Sequence, residues 1–418
     1  DTTATGGGVH AVWKTVAENG SGFMEFLRQG YKPTPWMALP NLSGHLQTLF
    51  TARAPPSWLG TPLVTYKREI IPVTATSPYL LPGEVALDWG VLGLARRSTN
   101  DVQEWHARFH SNTPTVLICH GLAGGSSEHY VKNLIFHLSS VYGYRCVVFN
   151  ARGCGGSKII NRQLYCGAYT DDLRQVVASL RSRLPGAPLL GIGFSLGSNI
   201  LTKFVGEEGL NGRPPPFTAM ASIANPFDFL IGSHQLERNW FQKTIYSANL
   251  AKNLIALFRS HLDGLEENQQ KDLVGAADDS MPQYDLNSVY SSPTLREFDK
   301  RLTRVIFGYA TVDDYYRDCS SSRYVKFLRC PALLLNSLDD PISPRTAIPY
   351  DEASINPYVT LLTTEAGGHS MDWYQGWWNV NSWAAKAIGK YFNSIVENTP
   401  GLSGHISHGE KVSTPPPR

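Results

Sequence analysis

Ser195, the adjacent pair Asp339-Asp340 and His369 follow one another in that order along a chain of 418 residues. A serine hydroxyl is a weak nucleophile until a base takes its proton. The base in turn needs a carboxylate to hold its tautomer and to stabilise the imidazolium that forms. The three residue types here supply nucleophile, acid and base, and each follows an apolar stretch that reads as a strand. Asp340 is the favoured acid, because Asp340-Pro-Ile-Ser-Pro has the proline four residues on that such acid turns carry. Asp339 is then expected to be a solvated or capping residue.

Ser195 stands at the centre of a Gly-x-Ser-x-Gly run, Gly193 to Gly197. At an average glycine usage of ~7%, such a run arises by chance about 0.1 to 0.2 times in a chain this long. The flanks therefore carry the inference. A short apolar segment after Pro188 reads as a buried strand, and Ile200, Leu201, Phe204 and Val205 then recur at helical spacing. A strand, a tight turn and a helix hold the turn residue above a sheet edge, and glycine two positions to either side makes room for it. The helix start aims free N–H groups and its positive dipole end at the same place. The oxyanion donors are expected to be the backbone N–H groups of Leu196 and of Leu122, just after His120-Gly121. Gly191, Gly193 and Gly197 also resemble a dinucleotide fingerprint, but Leu196 stands where the third glycine belongs, so no cofactor is expected.

The elements that must position these residues alternate. Leu63–Val73 and Glu84–Val91 read as strands joined at Pro82-Gly83. Thr115–Cys119 is a continuous apolar run, the mark of a strand buried on both faces of a mostly parallel sheet, and Arg145–Asn150 reads as another buried strand. A helix carrying Tyr130, Leu134, Leu138 and Val141 ends at Gly143. Another starts at a Thr170 cap, with Leu173, Val176, Val177, Leu180 and Leu184 inward. Thr218–Ala224, Pro331–Asn336 and Val359–Glu365 complete the strands, and a last helix turns Trp383, Ala387, Tyr391 and Ile395 inward. The expected fold is a doubly wound, twisted α/β sheet with helices on both faces and ligands at the carboxyl ends of its strands.

From Pro226 to about Phe327 the alternation stops. Trp240–Phe258 and Ser288–Arg304 read as helices, so this stretch is expected to be an inserted helical lid. The organisation is then an N-terminal extension (1–30), a first core part (31–225), the lid (226–327), a second core part (328–397) and a disordered tail (398–418). Asp1–Gly8 reads as a loose end, and Val12–Leu27 recurs weakly at helical spacing.

Composition removes several classes. A net charge of +2 leaves no footprint for nucleic acid. No apolar run approaches the ~20 residues needed to cross a bilayer. A chain starting at Asp1 without methionine suggests a removed upstream segment, which leaves membrane association or a cytoplasmic location open. His106 with His110, and His405 with His408, lack partners at zinc-site spacing, so no metal is expected. The six cysteines form no Cys-x-x-Cys pair and read as small buried hydrophobes, although Cys154 and Cys166 stay open as a pair in an oxidising compartment. His45 reads as a packed or capping histidine and His120 as a loop-ordering one. Trp373, Trp377 and Trp378 beyond His369 suit either core packing or an acyl-chain pocket.

The chain resembles the α/β-hydrolase-domain proteins types 1 and 3, the plant embryogenesis-associated proteins and the yeast medium-chain ethyl ester synthases. The resemblance lies in Gly44-His-Leu-Gln-Thr, His120-Gly-Leu-Ala-Gly-Gly-Ser, Asn150-Ala-Arg-Gly-Cys-Gly-Gly-Ser, Gly193-Phe-Ser-Leu-Gly, Arg296-Glu-Phe-Asp-Lys, Phe307-Gly-Tyr, Asp313-Asp-Tyr-Tyr and Gly367-Gly-His. It spans about Tyr31 to Val396. It implies an α/β-hydrolase fold and a serine esterase, phospholipase or acyltransferase acting on medium-chain lipid esters, with Ser195, Asp340 and His369 as its triad. Where some relatives carry a glycine-aromatic pair after the histidine, this chain has Ser370-Met-Asp-Trp373. The expected partners are a lipid or small ester substrate and a membrane surface. A catalytically silent binding subunit is the alternative outside enzymology.

Overall fold

The computed structural model describes residues 2–5, 9–12, 21–34, 37, 43–52, 63–76, 80–92, 109–262, 284–376 and 381–398. Trp377, Trp378, His106, His405, His408 and the expected tail beyond 398 lie outside these residues.

Ten strands run in chain order as β1 (Thr2–Thr5), β2 (Val9–Val12), β3 (Val64–Val73), β4 (Gly83–Leu92), β5 (Thr115–Cys119), β6 (Arg145–Asn150), β7 (Leu189–Phe194), β8 (Ala219–Ile223), β9 (Ala332–Ser337) and β10 (Val359–Thr364). They form one sheet in the order β1-β2-β10-β9-β8-β7-β5-β6-β4-β3. The six strands from β5 to β10 pair in parallel, and every residue of each is buried. Fully buried strands need no alternation, which is why the sequence gives continuous apolar runs there. β3 and β4 add antiparallel at one edge. β3 is buried only at its ends, Val64 and Val73, with half-buried and exposed residues between them, and it tolerates Pro72, as an edge strand can. The β1–β2 hairpin adds antiparallel to β10 at the other edge, so the chain start is paired rather than loose and Val12 lies in a strand.

The helices used below are α1 (Ser21–Arg28), α2 (Ser43–Ala52), α3 (His129–Tyr142), α4 (Asp171–Arg183), α5 (Leu196–Leu210), α6 (Phe229–Glu237), α7 (Ala248–Leu262), α8 (Leu286–Tyr290), α9 (Leu295–Phe298), α10 (Val312–Cys319) and α11 (Trp383–Asn398). Two apolar cores separate along the sheet. One joins α1, α3 and α11 to one face through residues such as Ile118, Val148 and Ile192; the other joins α4 and α5 to the opposite face through Leu117, Val147 and Leu334. Truncating Leu117, Ile118, Ile192 or Leu334 to alanine costs on the order of 2–5 kcal/mol. The final helix buries Trp383, Ala387, Tyr391 and Ile395 as the spacing predicts.

Two local expectations are corrected. α3 stops at Gly143, which takes the left-handed conformation at φ 69°, but its buried face is Tyr130, Val131, Leu134, Ile135 and Leu138, and Val141 points to solvent. Thr170 does precede α4, yet its backbone is already helical, and its hydroxyl donates to Glu207 and accepts from the Arg174 side chain, with no bond from a backbone N–H of the helix. An acceptor outside the helix won over the cap.

Between β8 and β9, residues 226–327 contain no strand among the described residues. Side-chain caps start their helices: Asp228 accepts from the Ile231 N–H, Asp285 from Asn287 and Ser288, Thr294 from Glu297, and Thr311 from Asp314. Gln242–Ser247 and Asp299–Thr303 are π-helical turns, running into α7 and out of α9 respectively. This segment has its own apolar cluster around Phe258, Phe298, Leu302 and Tyr316, and that cluster sits against Leu164, Cys166 and Ala168 of the core.

Candidate active site

β5 is flanked by β6 on one side and β7 on the other, so the strand order reverses there and opens a crevice at the carboxyl ends. β7 ends at Phe194, and Ser195 makes the turn into α5 at φ 50° and ψ −118°, a conformation rare outside glycine. Glycine is required on both sides. A Cβ on Gly193 would overlap the Ser198 backbone, and one on Gly197 would overlap the carbonyls of Cys119 and His120. The Ser195 N–H donates to the Ile223 carbonyl at 2.9 Å, tying the turn to β8.

Ser195 Oγ lies 2.8 Å from His369 Nε2, and His369 Nδ1 lies 2.7 Å from Asp340 Oδ2. All three parts of this chain come from the ends of different strands, β7, β10 and β9. Asp340 and His369 are buried. The second oxygen of Asp340 accepts from the N–H groups of Ile342 at 2.7 Å and Ser343 at 2.8 Å. Asp340-Pro-Ile-Ser therefore folds back on its own carboxylate and leaves Oδ2 for the histidine. An ionised Asp340 accepts the Nδ1–H, so Nε2 is the nitrogen that accepts from Ser195.

Asp339 points elsewhere. Its carboxylate accepts from Ser337 Oγ at 2.6 Å and from the Gly368 N–H at 2.7 Å, so it caps the loop that carries His369. Burial pushes its pKa up. Gly368, at φ 59°, packs so closely on the Gly44 carbonyl that a Cβ would collide with it. One turn further along α2, Thr48 Oγ1 accepts from the His369 N–H at 2.8 Å. Gly44-His-Leu-Gln-Thr48 is thus a brace behind the histidine. His45 itself is not in the crevice wall; it contacts Tyr246 OH at 2.5 Å and the Phe241 ring.

The His120–Ser126 loop is pinned at the amides of Gly121, Ala123, Gly124 and Ser126. Gly121 N–H donates to Tyr130 OH at 2.9 Å, Ala123 N–H to Tyr165 OH at 2.7 Å, and Ser126 N–H to the Asn150 side chain at 2.9 Å. Ser126 Oγ also donates to Asp88, which pairs with Arg68. Among the described residues, the N–H groups of Leu122 and Leu196 have no acceptor, and both residues line the cavity with Ser195 and His369. His120 orders the loop: its Nδ1–H donates to the Gly121 carbonyl at 2.7 Å and its Nε2 accepts from Ala151 N–H at 3.2 Å. Burial pushes its pKa down to about 4, so it stays neutral.

The cavity over Ser195 is walled by the core through Leu122, Leu164 and Ile342, and by the 226–327 segment through Phe229, Leu236, Leu254 and Phe298. Trp373 is not among its walls. The indole is fully buried at φ 48° with its N–H on Thr364 Oγ1 at 2.9 Å, so the acyl-pocket alternative fails for it and core packing holds. All six cysteines are buried free thiols, Cys154 and Cys166 included. Among the described residues no group of three or more His, Cys, Asp or Glu is arranged to hold a metal ion.

Residues 114–374 match the α/β hydrolase fold family, and the chain belongs to it. Within that family it is similar to the protein named phospholipase ABHD3 from Homo sapiens, at 32% identity over 407 residues, covering 95% of this chain and 86% of that one. It is also 34% identical over 308 residues to a monoacylglycerol lipase of Saccharomyces cerevisiae, covering 73% and 64% of the two chains. Medium-chain fatty acid ethyl ester synthase/esterase 2 of the same yeast is 32% identical over 299 residues, with 68% and 63% covered. These relatives bear out the resemblance read from the motifs.

Proposed function

We propose that this protein is a serine hydrolase of lipid carboxylic esters that works through an acyl-serine intermediate. The single observation that carries the reading is the hydrogen-bonded chain Ser195–His369–Asp340 at the floor of an apolar cavity. Ser195 Oγ attacks the ester carbonyl carbon while His369 Nε2 takes its proton. The N–H groups of Leu122 and Leu196 receive the oxyanion, and His369 returns the proton to the departing alcohol. Water, deprotonated by the same nitrogen, then releases the acid and restores Ser195. Asp340 stays ionised throughout and holds the imidazole in place.

The names of the relatives support a lipid acyl ester as substrate: a phospholipid, a monoacylglycerol or a medium-chain ethyl ester. The 226–327 segment acts in this reading as the lid, since residues of α6 and α7 form much of the cavity wall. Association with a lipid surface is part of the proposal. Trp240, Phe241 and Ile231 are exposed on the stretch whose Gly232, Ser233 and Leu236 face the cavity. No helix among the described residues is long and apolar enough to cross a membrane.

The test is hydrolysis of monodecanoylglycerol and ethyl decanoate by the wild type and by Ser195→Ala. The expected result is turnover lost by roughly 10⁴-fold or more in the variant. Wild-type protein that is folded but cleaves neither ester contradicts the reading. Added ethanol or glycerol separates hydrolysis from transfer, because a transferase returns a new ester.

A further inference from the structure

One side chain in the cavity wall is out of keeping with its surroundings. Asp299 lines the same cavity as Ser195, among Phe298, Leu302 and Ile306, and is buried. Its two oxygens are oriented from within the lid: Thr303 Oγ1 donates to Oδ1 at 2.7 Å and Tyr316 OH to Oδ2 at 2.8 Å. No cation pairs with it among the described residues. The nearby guanidinium of Arg296 forms its ion pair with Asp313 instead. Asp299 opens a π-helical turn, Asp299–Thr303, an irregularity that often marks functional positions.

The motifs Arg296-Glu-Phe-Asp-Lys and Asp313-Asp-Tyr-Tyr are brought together by these contacts, and nothing in the serine chemistry requires them. A buried carboxyl without a cation is costly, and an apolar residue of similar size would pack this wall at less expense of stability. A carboxylate offers about four acceptor positions, and only two are filled here.

We infer that Asp299, oriented by Thr303 and Tyr316, is a polar subsite of the cavity that binds a hydroxyl group of the substrate. The inference rests on the ester-hydrolase reading and names what that site selects. In an apolar cavity a few placed polar groups decide which ligands fit and which way round they lie. Burial raises the Asp299 pKa to about 6, so both protonation forms are populated not far below neutral pH. A hydroxyl both donates and accepts and is therefore matched to either form. A phosphate or carboxylate meets repulsion from the ionised one. A hydroxyl here has two sources, the alcohol part of the ester, as in a monoacylglycerol, or a hydroxylated acyl chain.

Three esters of equal acyl length separate these sources: ethyl decanoate, monodecanoylglycerol and ethyl ω-hydroxydecanoate. The readout is kcat/KM for each hydroxylated ester divided by kcat/KM for ethyl decanoate, in the wild type, Asp299→Asn and Asp299→Leu. One of the two ratios is expected to fall by about tenfold or more in Asp299→Leu, because a substrate hydroxyl loses its partner. The ratio that falls identifies the source. Fluorophosphonate labelling of Ser195 in each variant shows that the cavity is intact. If Asp299→Leu does not fold, Thr303→Val and Tyr316→Phe, which loosen the carboxyl's orientation, are expected to lower the same ratio. Ratios unchanged across all the folded variants, or all three esters falling in parallel, overturn the inference and leave Asp299 a packing residue. A wild type that is labelled yet cleaves none of the three esters refutes the hydrolase reading, and the subsite with it.

Discussion

Thr48 Oγ1 accepts the backbone N–H of His369 at 2.8 Å and donates its own proton to the Gly44 carbonyl at 2.6 Å. The base of the site is thus held from behind by a helix 321 residues away in sequence. Gly368 fits against the same turn, and Thr51 Oγ1 reaches Ser370 Oγ at 3.1 Å. Valine at position 48 keeps the shape and deletes the acceptor. Thr48→Val is expected to lower kcat by roughly 10- to 100-fold with little change in KM, since misplacing the imidazole slows chemistry more than binding. Thr48→Ser restores the acceptor and is expected to recover most of the loss. Equal activity in Thr48→Val and wild type shows that the brace is dispensable.

The two adjacent aspartates are expected to part company. Asp340→Asn removes the acceptor for His369 Nδ1–H and favours the wrong tautomer, so kcat falls by about 10⁴-fold. Asp339→Asn keeps an oxygen for the Gly368 N–H, and its loss stays within about tenfold. Steady-state kinetics on one soluble ester distinguishes them, and the reverse ranking contradicts the assignment.

If the oxyanion donors are backbone groups, side chains matter little there. Leu122→Ala and Leu196→Ala are expected to keep activity within about tenfold of wild type, because neither N–H is removed. Tyr165→Phe strips the acceptor from the Ala123 N–H next to Leu122 and is expected to cost more in kcat than either alanine variant. Activity lost in both leucine variants but kept in Tyr165→Phe points to donors other than these amides.

His120 predicts an acid limit on stability. Its pKa is about 4 in the fold and near 6.5 in an unfolded chain. Below pH ~6.5 the unfolded chain takes up a proton that the native state refuses, so the contribution is complete above that pH and is lost as pH falls toward 4. The loss is on the order of 3 kcal/mol over that window. Urea unfolding at neutral pH and near pH 4.5 measures it: the wild type is expected to lose more stability on acidification than His120→Asn. Equal losses mean that His120 is protonated in the native state.

What was legible in the sequence was local. Strand, glycines, serine and helix around Ser195 lie within one short stretch, and each of Asp340 and His369 follows its own apolar strand, so pattern alone pointed to them. The parallel core was legible for the same reason, since full burial writes unbroken apolar runs. What was not legible depends on distant partners. Nothing beside Thr48 marks it as an acceptor for His369, and nothing beside Tyr130 or Tyr165 marks a hydroxyl that closes the His120 loop. Thr170 looked like a cap because Glu207 is 37 residues away. Trp373 stands four residues past the base in sequence, yet a left-handed backbone turns it into the core. Asp299 carried a signal only as part of a motif without a role, and it acquired one when the fold set it in the cavity wall.

The most direct measurement of the central claim is covalent labelling by a fluorophosphonate, with the modified peptide read by mass spectrometry. The serine–histidine–aspartate account predicts a single adduct on Ser195, absent in Ser195→Ala and formed far more slowly in His369→Ala. A folded wild-type protein that takes up no label, or takes it up on another residue, contradicts the account.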